Sequence, residues 1–449
     1  MKFKSFILTV ITVLLVFALN KSWKVGGLQI PAIGKFISPQ HGFWQNAEPI
    51  NKDFSEDLGF PELNGKVNVS IDERLVPHVF AEKENDAYFV QGYLHAKFRL
   101  WQMELQTFSA GGRLSEVMGA GMLERDREFR RLGIVYSAEK TLEVLESDPV
   151  MKSVCDSYTK GVNSYIENLP ERKIPLEYKL LGYKPEKWNN LKTVLFMKYM
   201  SYDLAGFDED FEMTNAKNYF DKEKFDLLFP VIQDSLDPVI PDGSEIQQQK
   251  VFPVIPGDID SVYLIKEEID VTENEKPKRE NGSNNWAVSG KKTKSGAPIL
   301  SNDLHLTMNL PSIWYEIQIT APNINVYGVS FPGVPGVIVG FNDSISFGFT
   351  NGGRDVRDYF EIRFKDESRK EYWYNGEWHQ TIWRPEIIKI NGSPDFTDSV
   401  SYVKLGKDLC PVMYDNKFSG TKNAKNKYYA VRWKGNNPTN DLKAFNLLN

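Results

Sequence analysis

Residues 281–290 read Asn281-Gly282-Ser283-Asn284-Asn285-Trp286-Ala287-Val288-Ser289-Gly290. They follow a tract, Lys266 to Gly282, that carries Glu267, Glu268, Asp270, Glu273, Glu275, Lys276, Lys278, Arg279 and Glu280. Such a tract cannot bury a core and is expected to lie in solvent. A polar tract that turns abruptly into a strand-like run, with Gly-Ser at the junction, suggests a place where a precursor is cut. A break between Gly282 and Ser283 would make Ser283 a new N-terminus. Its α-amine, with a pKa of about 8, could then serve as the base for its own hydroxyl. The plainer alternative is an interdomain linker ahead of a turn serine.

The rest of the chain bounds what such a serine could serve. With 449 residues, 41% of them hydrophobic and 13% aromatic, the chain can build a large core or an apolar pocket. A net charge of -6 and the lack of a basic stripe argue against nucleic acid as a partner. The N-terminus, Met1-Lys2-Phe3-Lys4 followed by an apolar run from Phe6 to Leu19, fits a secretory signal over residues 1–22 or an uncleaved membrane anchor. An exported protein, periplasmic or anchored through its N-terminus, is therefore expected. Only Cys155 and Cys410 occur, too few for a disulfide framework. The five histidines are scattered and none has zinc-site spacing.

Along the chain, residues 23–65 are Gly- and Pro-rich and loop-like. Lys66 to Phe80 alternates as a strand with a turn around Asp72-Glu73-Arg74. Asn85 or Asp86 then caps a long helix running to Gln106, with Phe89, Val90, Tyr93, Leu94, Phe98, Trp101 and Leu105 at helical spacing. His95 on that helix reads as a packed core residue. Helical patterns continue to about 225. After Ser283 the character changes to short strands: Trp286–Lys291, Pro298–Ser301, Trp314–Thr320, Val326–Phe331, Val337–Val339, Ser344–Thr350, Tyr359–Phe364, Trp383–Ile390 and Tyr428–Trp433.

Polar residues gather at the ends of these strands. Asn302-Asp303-Leu304-His305 closes one, Gly340-Phe341-Asn342-Asp343 turns between two, and Gly348-Phe349-Thr350-Asn351-Gly352-Gly353 ends a third, with Asp355 and Asp358 just beyond. Together they suggest one functional edge. With these residues in view, the chain resembles the penicillin acylase (penicillin amidase) family of N-terminal nucleophile hydrolases. The resemblance rests on Gly282 to Gly290, Leu300 to His305, Pro332 to Asn342 and Ile345 to Asn351. In the front half it rests on Arg74 to Ala81, Gln91 to Ala96, Gln102-Met103-Glu104 and Gly112 to Glu116.

The resemblance implies an α+β fold, an αββα sandwich with a helical α-chain over residues 66–240, a linker or spacer at 241–282 and a β-rich β-chain from 283. Both chains would come from one precursor, cut autocatalytically at Gly282-Ser283. Ser283 would be the nucleophile and its α-amine the general base, acting on a small-molecule N-acyl amide. The Asn351 backbone N–H would stabilise the oxyanion. His305 would orient substrate and α-amine, and Leu306, Val339 and Phe349 would line the acyl pocket. Some members carry Gln at the His305 position; His there resembles the cephalosporin and acyl-homoserine-lactone acylases. A structural calcium is implied at Asp355, Asp358, the Arg357 carbonyl and Glu212, all hard oxygen donors. The family's side-chain Asn of the oxyanion hole and its supporting Arg lie far downstream, so residues 283–449 are expected to cover only the N-terminal part of a β-chain.

Two other functions were weighed against this. Ser289-Gly290-Lys291-Lys292 fits the Ser-x-x-Lys pattern of serine β-lactamases, but no Lys-Thr-Gly or Ser-Asp-Asn triplet accompanies it. An exported, aromatic-rich chain could also be a non-catalytic binding protein.

Overall fold

A computed structural model of the chain describes residues 2–25, 28–230, 282–306, 308–352, 355–414 and 427–439, with Leu442, Lys443 and Leu448. The charged tract ahead of the junction lies outside the described residues apart from Gly282. The fold is α+β, helices in the front half meeting two main sheets.

The expected turn after Lys66 forms because the Asp72 carboxylate accepts from the backbone N–H of Arg74 (2.9 Å) and Val76 (2.8 Å). It joins strands Val67–Ile71 and Pro77–Ala81. The second of these pairs in parallel with Tyr315–Ala321, so His78 faces Gln318. The six-stranded sheet then runs Ser346–Phe347, Val339–Asn342, Ile324–Ser330, Tyr315–Ala321, Pro77–Ala81, Val67–Ile71. Front-half and back-half residues therefore share one sheet and one core, with Phe89, Val154 and Phe196 packed against Ile317, Val337 and Trp433.

The long helix spans Glu84–Ala110, four residues beyond its expected end, and bends at Arg99 (φ -140°, ψ 16°). Asp86 does not cap it. It is buried and instead accepts from the N–H groups of Asn64 and Gly65, pinning the incoming loop. The helix crosses Pro149–Glu167 at very close range: a Cβ on Gly161 would fall 1.8 Å from the Phe89 carbonyl oxygen. Gly92 makes the reciprocal approach to Tyr158.

That crossing aims two polar side chains at the sheet. Gln91 donates to the Gly336 carbonyl (2.9 Å) and accepts from the Gly336 N–H (2.8 Å). One turn on, His95 sits in a saturated chain. The Gly333 N–H donates to Tyr158 OH (2.8 Å), and Ser330 Oγ donates to the Tyr315 carbonyl (2.9 Å). Tyr158 OH therefore donates to His95 Nδ1 (2.8 Å), and His95 Nε2–H donates to Ser330 Oγ (3.0 Å). His95 is a core residue as expected, but a polar one, and it holds the 331–338 loop in place.

A five-stranded antiparallel sheet follows, in the order Arg357–Glu361, Tyr429–Trp433, Asp408–Tyr414, Ser393–Leu405, Ile382–Ile390. Ser393–Leu405 and Asp408–Tyr414 escape the sequence reading. Asp395, Asp398 and Pro411 look like turn or breaker residues. Asp398 earns its place by accepting two 2.7 Å bonds from the buried Arg131 guanidinium, and Arg127 adds a third at 3.2 Å. Conversely, the expected strand Ser344–Thr350 shrinks to Ser346–Phe347, because Gly348 leaves the sheet. Cys155 and Cys410 are buried in separate hydrophobic clusters.

Burial pushes the His95 imidazole down to about 3 from its ordinary 6.5. Between those two values the unfolded chain binds the extra proton. The contribution is fully present above about pH 6.5 and is lost as pH falls toward about 3. Denaturant titrations at pH 7, 6, 5 and 4 should show stability falling steadily, and His95→Gln should flatten that slope while lowering stability at pH 7.

Candidate active site

Ser283 lies on a two-stranded hairpin formed by Gly282–Val288 and Ile299–His305. The register sets Ser283 opposite Leu304, Asn285 opposite Asn302, and Gly282 opposite His305. Side chains alternate across a strand, and directly opposed residues share a face. Ser283, Leu304, Asn285 and Asn302 thus occupy one face, and Asn284, Asp303 and His305 the other.

The first face is tied to the segment that leaves the six-stranded sheet. Asn285 Nδ2 donates to the Gly348 carbonyl (2.9 Å). Asn302 Nδ2 donates to the Phe349 carbonyl (3.0 Å) and the Asn284 carbonyl (3.2 Å). Gly348 is required here: a Cβ would sit 2.7 Å from Asn302 Cβ. Asn351, in turn, donates from Nδ2 to the Leu204 carbonyl (2.7 Å), anchoring the segment to the end of helix Asn190–Ala205.

These ties enclose a cavity of about 220 Å³ lined by Ser283, Leu304, Leu306, Trp314, Phe331, Phe349 and Asn351, with Leu204 contributed from the front half. Trp314 stacks on Phe331 with ring centres 4.4 Å apart. Ser283 Oγ donates to the Gly282 carbonyl oxygen at 2.5 Å, so the hydroxyl sits beside the carbonyl of the Gly282-Ser283 peptide.

Of the residues singled out from sequence, Gly282, Ser283, Leu306, Phe349 and Asn351 come together in this cavity. Val339 does not: it lines a neighbouring cavity of about 410 Å³ that shares only Leu304 and Trp314 with the first. His305 is adjacent through its backbone, paired with Gly282, but its imidazole projects from the other face and bonds to Asp303 (2.7 Å). Asn285, Asn302, Trp314, Phe331 and Leu204 were not identified from sequence. The two asparagines are legible only once the hairpin register is known.

The candidate metal residues lie on a loop and strand beyond the cavity. The buried Arg357 donates to the Gly206 carbonyl (2.8 Å) and pairs with Asp208 (3.3 Å), and Asp355 accepts from the Arg357 N–H (3.3 Å). Asp358 faces Arg432 (3.2 Å), and Glu212 is exposed on helix Asp210–Tyr219. A second front-half carboxylate beside this segment is Asp210, which accepts from the Tyr359 N–H (2.9 Å). Burial raises its pKa, and Asp355 and Asp358 add like-charge repulsion. The donors are of the right kind for a hard cation. Even so, no three His, Cys, Asp or Glu among the described residues converge closely enough to hold an ion.

Over 335 residues the chain is 28% identical to the acyl-homoserine lactone acylase QuiP of Pseudomonas aeruginosa, covering 74% of this chain and 39% of that protein. It is 28% identical over 353 residues to the penicillin acylase 2 proenzyme of Pseudomonas sp. strain SE83, covering 76% and 43%. Against penicillin G acylase of Escherichia coli it is 22% identical over 379 residues, covering 74% and 44%. The chain thus spans about two-fifths of the length of these curated relatives. The penicillin amidase family model matches residues 66–449. Because that match covers most of the chain, the chain belongs to the penicillin amidase family.

Proposed function

We propose that this protein is an acylase that matures by cutting itself at Gly282-Ser283 and then hydrolyses N-acyl amides through an acyl-enzyme on Ser283. The observation that carries this reading is Ser283 Oγ hydrogen-bonded to the Gly282 carbonyl oxygen, both residues lining an apolar cavity. In maturation, Oγ attacks the Gly282 carbonyl carbon. The new C–O bond replaces the C–N bond, and the hydroxyl proton passes to the departing nitrogen. Water then hydrolyses the ester, leaving a Gly282 carboxylate and a free Ser283 α-amine. In turnover that amine takes the Oγ proton through a water as Oγ attacks the substrate's acyl carbon. The proton goes on to the leaving amine, and a second water releases the acid. The Asn351 backbone N–H is the proposed oxyanion donor. His305 acts through its backbone pairing beside Gly282.

The finer architecture proposed is the αββα sandwich of the N-terminal nucleophile hydrolases. The nucleophile hairpin would belong to one sheet, and the six-stranded array to the other. The substrates proposed are β-lactam side-chain amides and acyl-homoserine lactones, the kinds named in its relatives. Export is proposed from the apolar N-terminal helix Lys2–Leu19, although no described helix is long and apolar enough to cross a membrane.

Intact mass of the full-length gene product should show two pieces, one beginning at Ser283. Ser283→Ala should leave a single uncut chain without amidase activity, and an uncut chain with normal turnover would refute the proposal. Asn302→Ala, which frees the Phe349 carbonyl and loosens the hairpin, should lower kcat by about tenfold to a hundredfold while leaving the fold intact by circular dichroism. A structural calcium at Asp355, Asp358, the Arg357 carbonyl and Glu212, or Asp210 in its place, is proposed as well, its carboxylates being drawn together only when the ion binds. Calcium added after chelation should then raise Tm by a few degrees, roughly as ligand linkage requires, and Asp355→Asn should abolish that shift.

A further inference from the structure

No described side chain of helix Lys2–Leu19 is buried. Phe6, Ile7 and Leu8 are exposed in succession, and so are Val13 to Phe17. At about 3.6 residues per turn, four successive side chains point all round the axis. The helix is therefore apolar on every side, and only an apolar surround would cover it. Its C-terminal end is built to meet one. The Val16 carbonyl accepts from Asn20 Nδ2 (2.9 Å), and the Ala18 carbonyl accepts from the Trp23 indole (2.7 Å). Carbonyls that would be orphaned in lipid are thus satisfied by side chains. Lys21 Nζ sits 5.8 Å from the Phe17 ring centre and 5.5 Å from that of Trp23. Lys and Trp are the residues that settle at headgroup level. Leu19-Asn20-Lys21-Ser22-Trp23 also lacks a small-x-small cleavage site.

The helix end is seated on the body of the protein. A Cβ on Gly34 would fall 2.5 Å from Asn20 Oδ1, so the turn Ile33–Phe36 lies tight against it. That turn and Phe43–Asn46 pack on helix Leu176–Leu181. Asn46 donates to the Ile174 carbonyl (2.9 Å), and Lys179 donates to Asn46 Oδ1 (2.6 Å). On these adjoining pieces Trp23 and Ile30, opposed in one hairpin, are exposed, as are Ile37, Trp44 and Leu176. Lys21, Lys35, Arg172 and Lys173 are exposed among them. Of the acids nearby, Glu48 is paired with Lys52 at 2.8 Å, and Glu171 stands next to Arg172 and Lys173 in the chain. Apolar tips interleaved with an excess of cations match the interface of an anionic bilayer.

We propose that helix Lys2–Leu19 stays attached to the mature protein, embedded in a bilayer, and that the surface carrying Trp23, Ile37, Trp44, Lys35 and Lys173 rests on anionic phospholipid headgroups. This deepens the proposal of export and is independent of the amide chemistry. Eighteen residues at about 1.5 Å each give a helix of about 27 Å, just under the ~30 Å hydrocarbon core. No described helix is long and apolar enough to cross a membrane, so the headgroup contacts share in holding the protein.

The test uses the full-length gene product. Intact mass should show that the N-terminal piece still carries residues 1–22, and the protein should leave the membrane fraction with detergent but not with salt. Purified protein should float with vesicles of phosphatidylcholine and phosphatidylglycerol. Lys35→Gln and Lys173→Gln should each weaken that binding by about fivefold, and neither should matter on pure phosphatidylcholine. Leu14→Asp should weaken binding to both vesicles by about a hundredfold, with the circular dichroism spectrum unchanged. A soluble protein trimmed of residues 1–22 would overturn the inference and leave export standing. An intact helix that joins copies in solution and does not float would assign it to a second copy, and would overturn the inference too. Protease added to spheroplasts isolates export: a membrane-bound chain that is cut supports both proposals, whereas one that is protected keeps the anchor and refutes export.

Discussion

The parallel pairing of Pro77–Ala81 with Tyr315–Ala321 is the constraint on which the site depends. It brings together residues some 240 positions apart and makes one sheet of both halves. Once it forms, Gln91 and His95 fall over the 331–338 loop, and that loop carries Phe331 to the floor of the cavity. Leu204 reaches the same cavity from the end of a front-half helix that Asn351 clamps. Neither half could build this pocket alone.

The apolar seam between the halves has polar contacts set into it. Arg131 and Asp398, Gln91 and Gly336, and His95 with Tyr158 and Ser330 are buried and mutually satisfied. Such groups add little net stability over well-packed apolar ones. Mispairing them would leave charges or donors without partners, which is costly. Their effect is to disfavour every register but one. A chain proposed to be cut in two has particular use for contacts that specify geometry without relying on the covalent connection.

Much of this was legible in the sequence, for reasons that differ by residue. The long helix announced itself through its apolar period, and Ser283 through the break in polarity. Leu306 and Phe349 come from the family resemblance rather than from any pattern of their own. His305 and Val339 were harder, since a strand residue's face depends on register, which its own sequence does not carry. The structure turns the His305 imidazole away and puts Val339 in the neighbouring cavity. Asp210 sits in an acidic run, Asp208-Glu209-Asp210, whose proximity to Asp355 is a tertiary fact. Strand Ser393–Leu405 was hidden because its Asp398 looks like a turn residue until Arg131 is placed beside it.

The nucleophile hairpin makes the location of Ser283 a question of parity. Its strands alternate, so even steps along either one preserve which side chains meet the cavity, and odd steps exchange them. A slip of one residue would present Asn284 to the cavity, opposite Asn302 or Leu304, and turn Ser283 away from it, opposite Asp303 or His305. The two asparagine bonds to Gly348 and Phe349 exist in only one of these parities. The exposed turn between the strands can therefore vary in sequence and length, provided the count across the hairpin keeps Ser283 and Leu304 face to face.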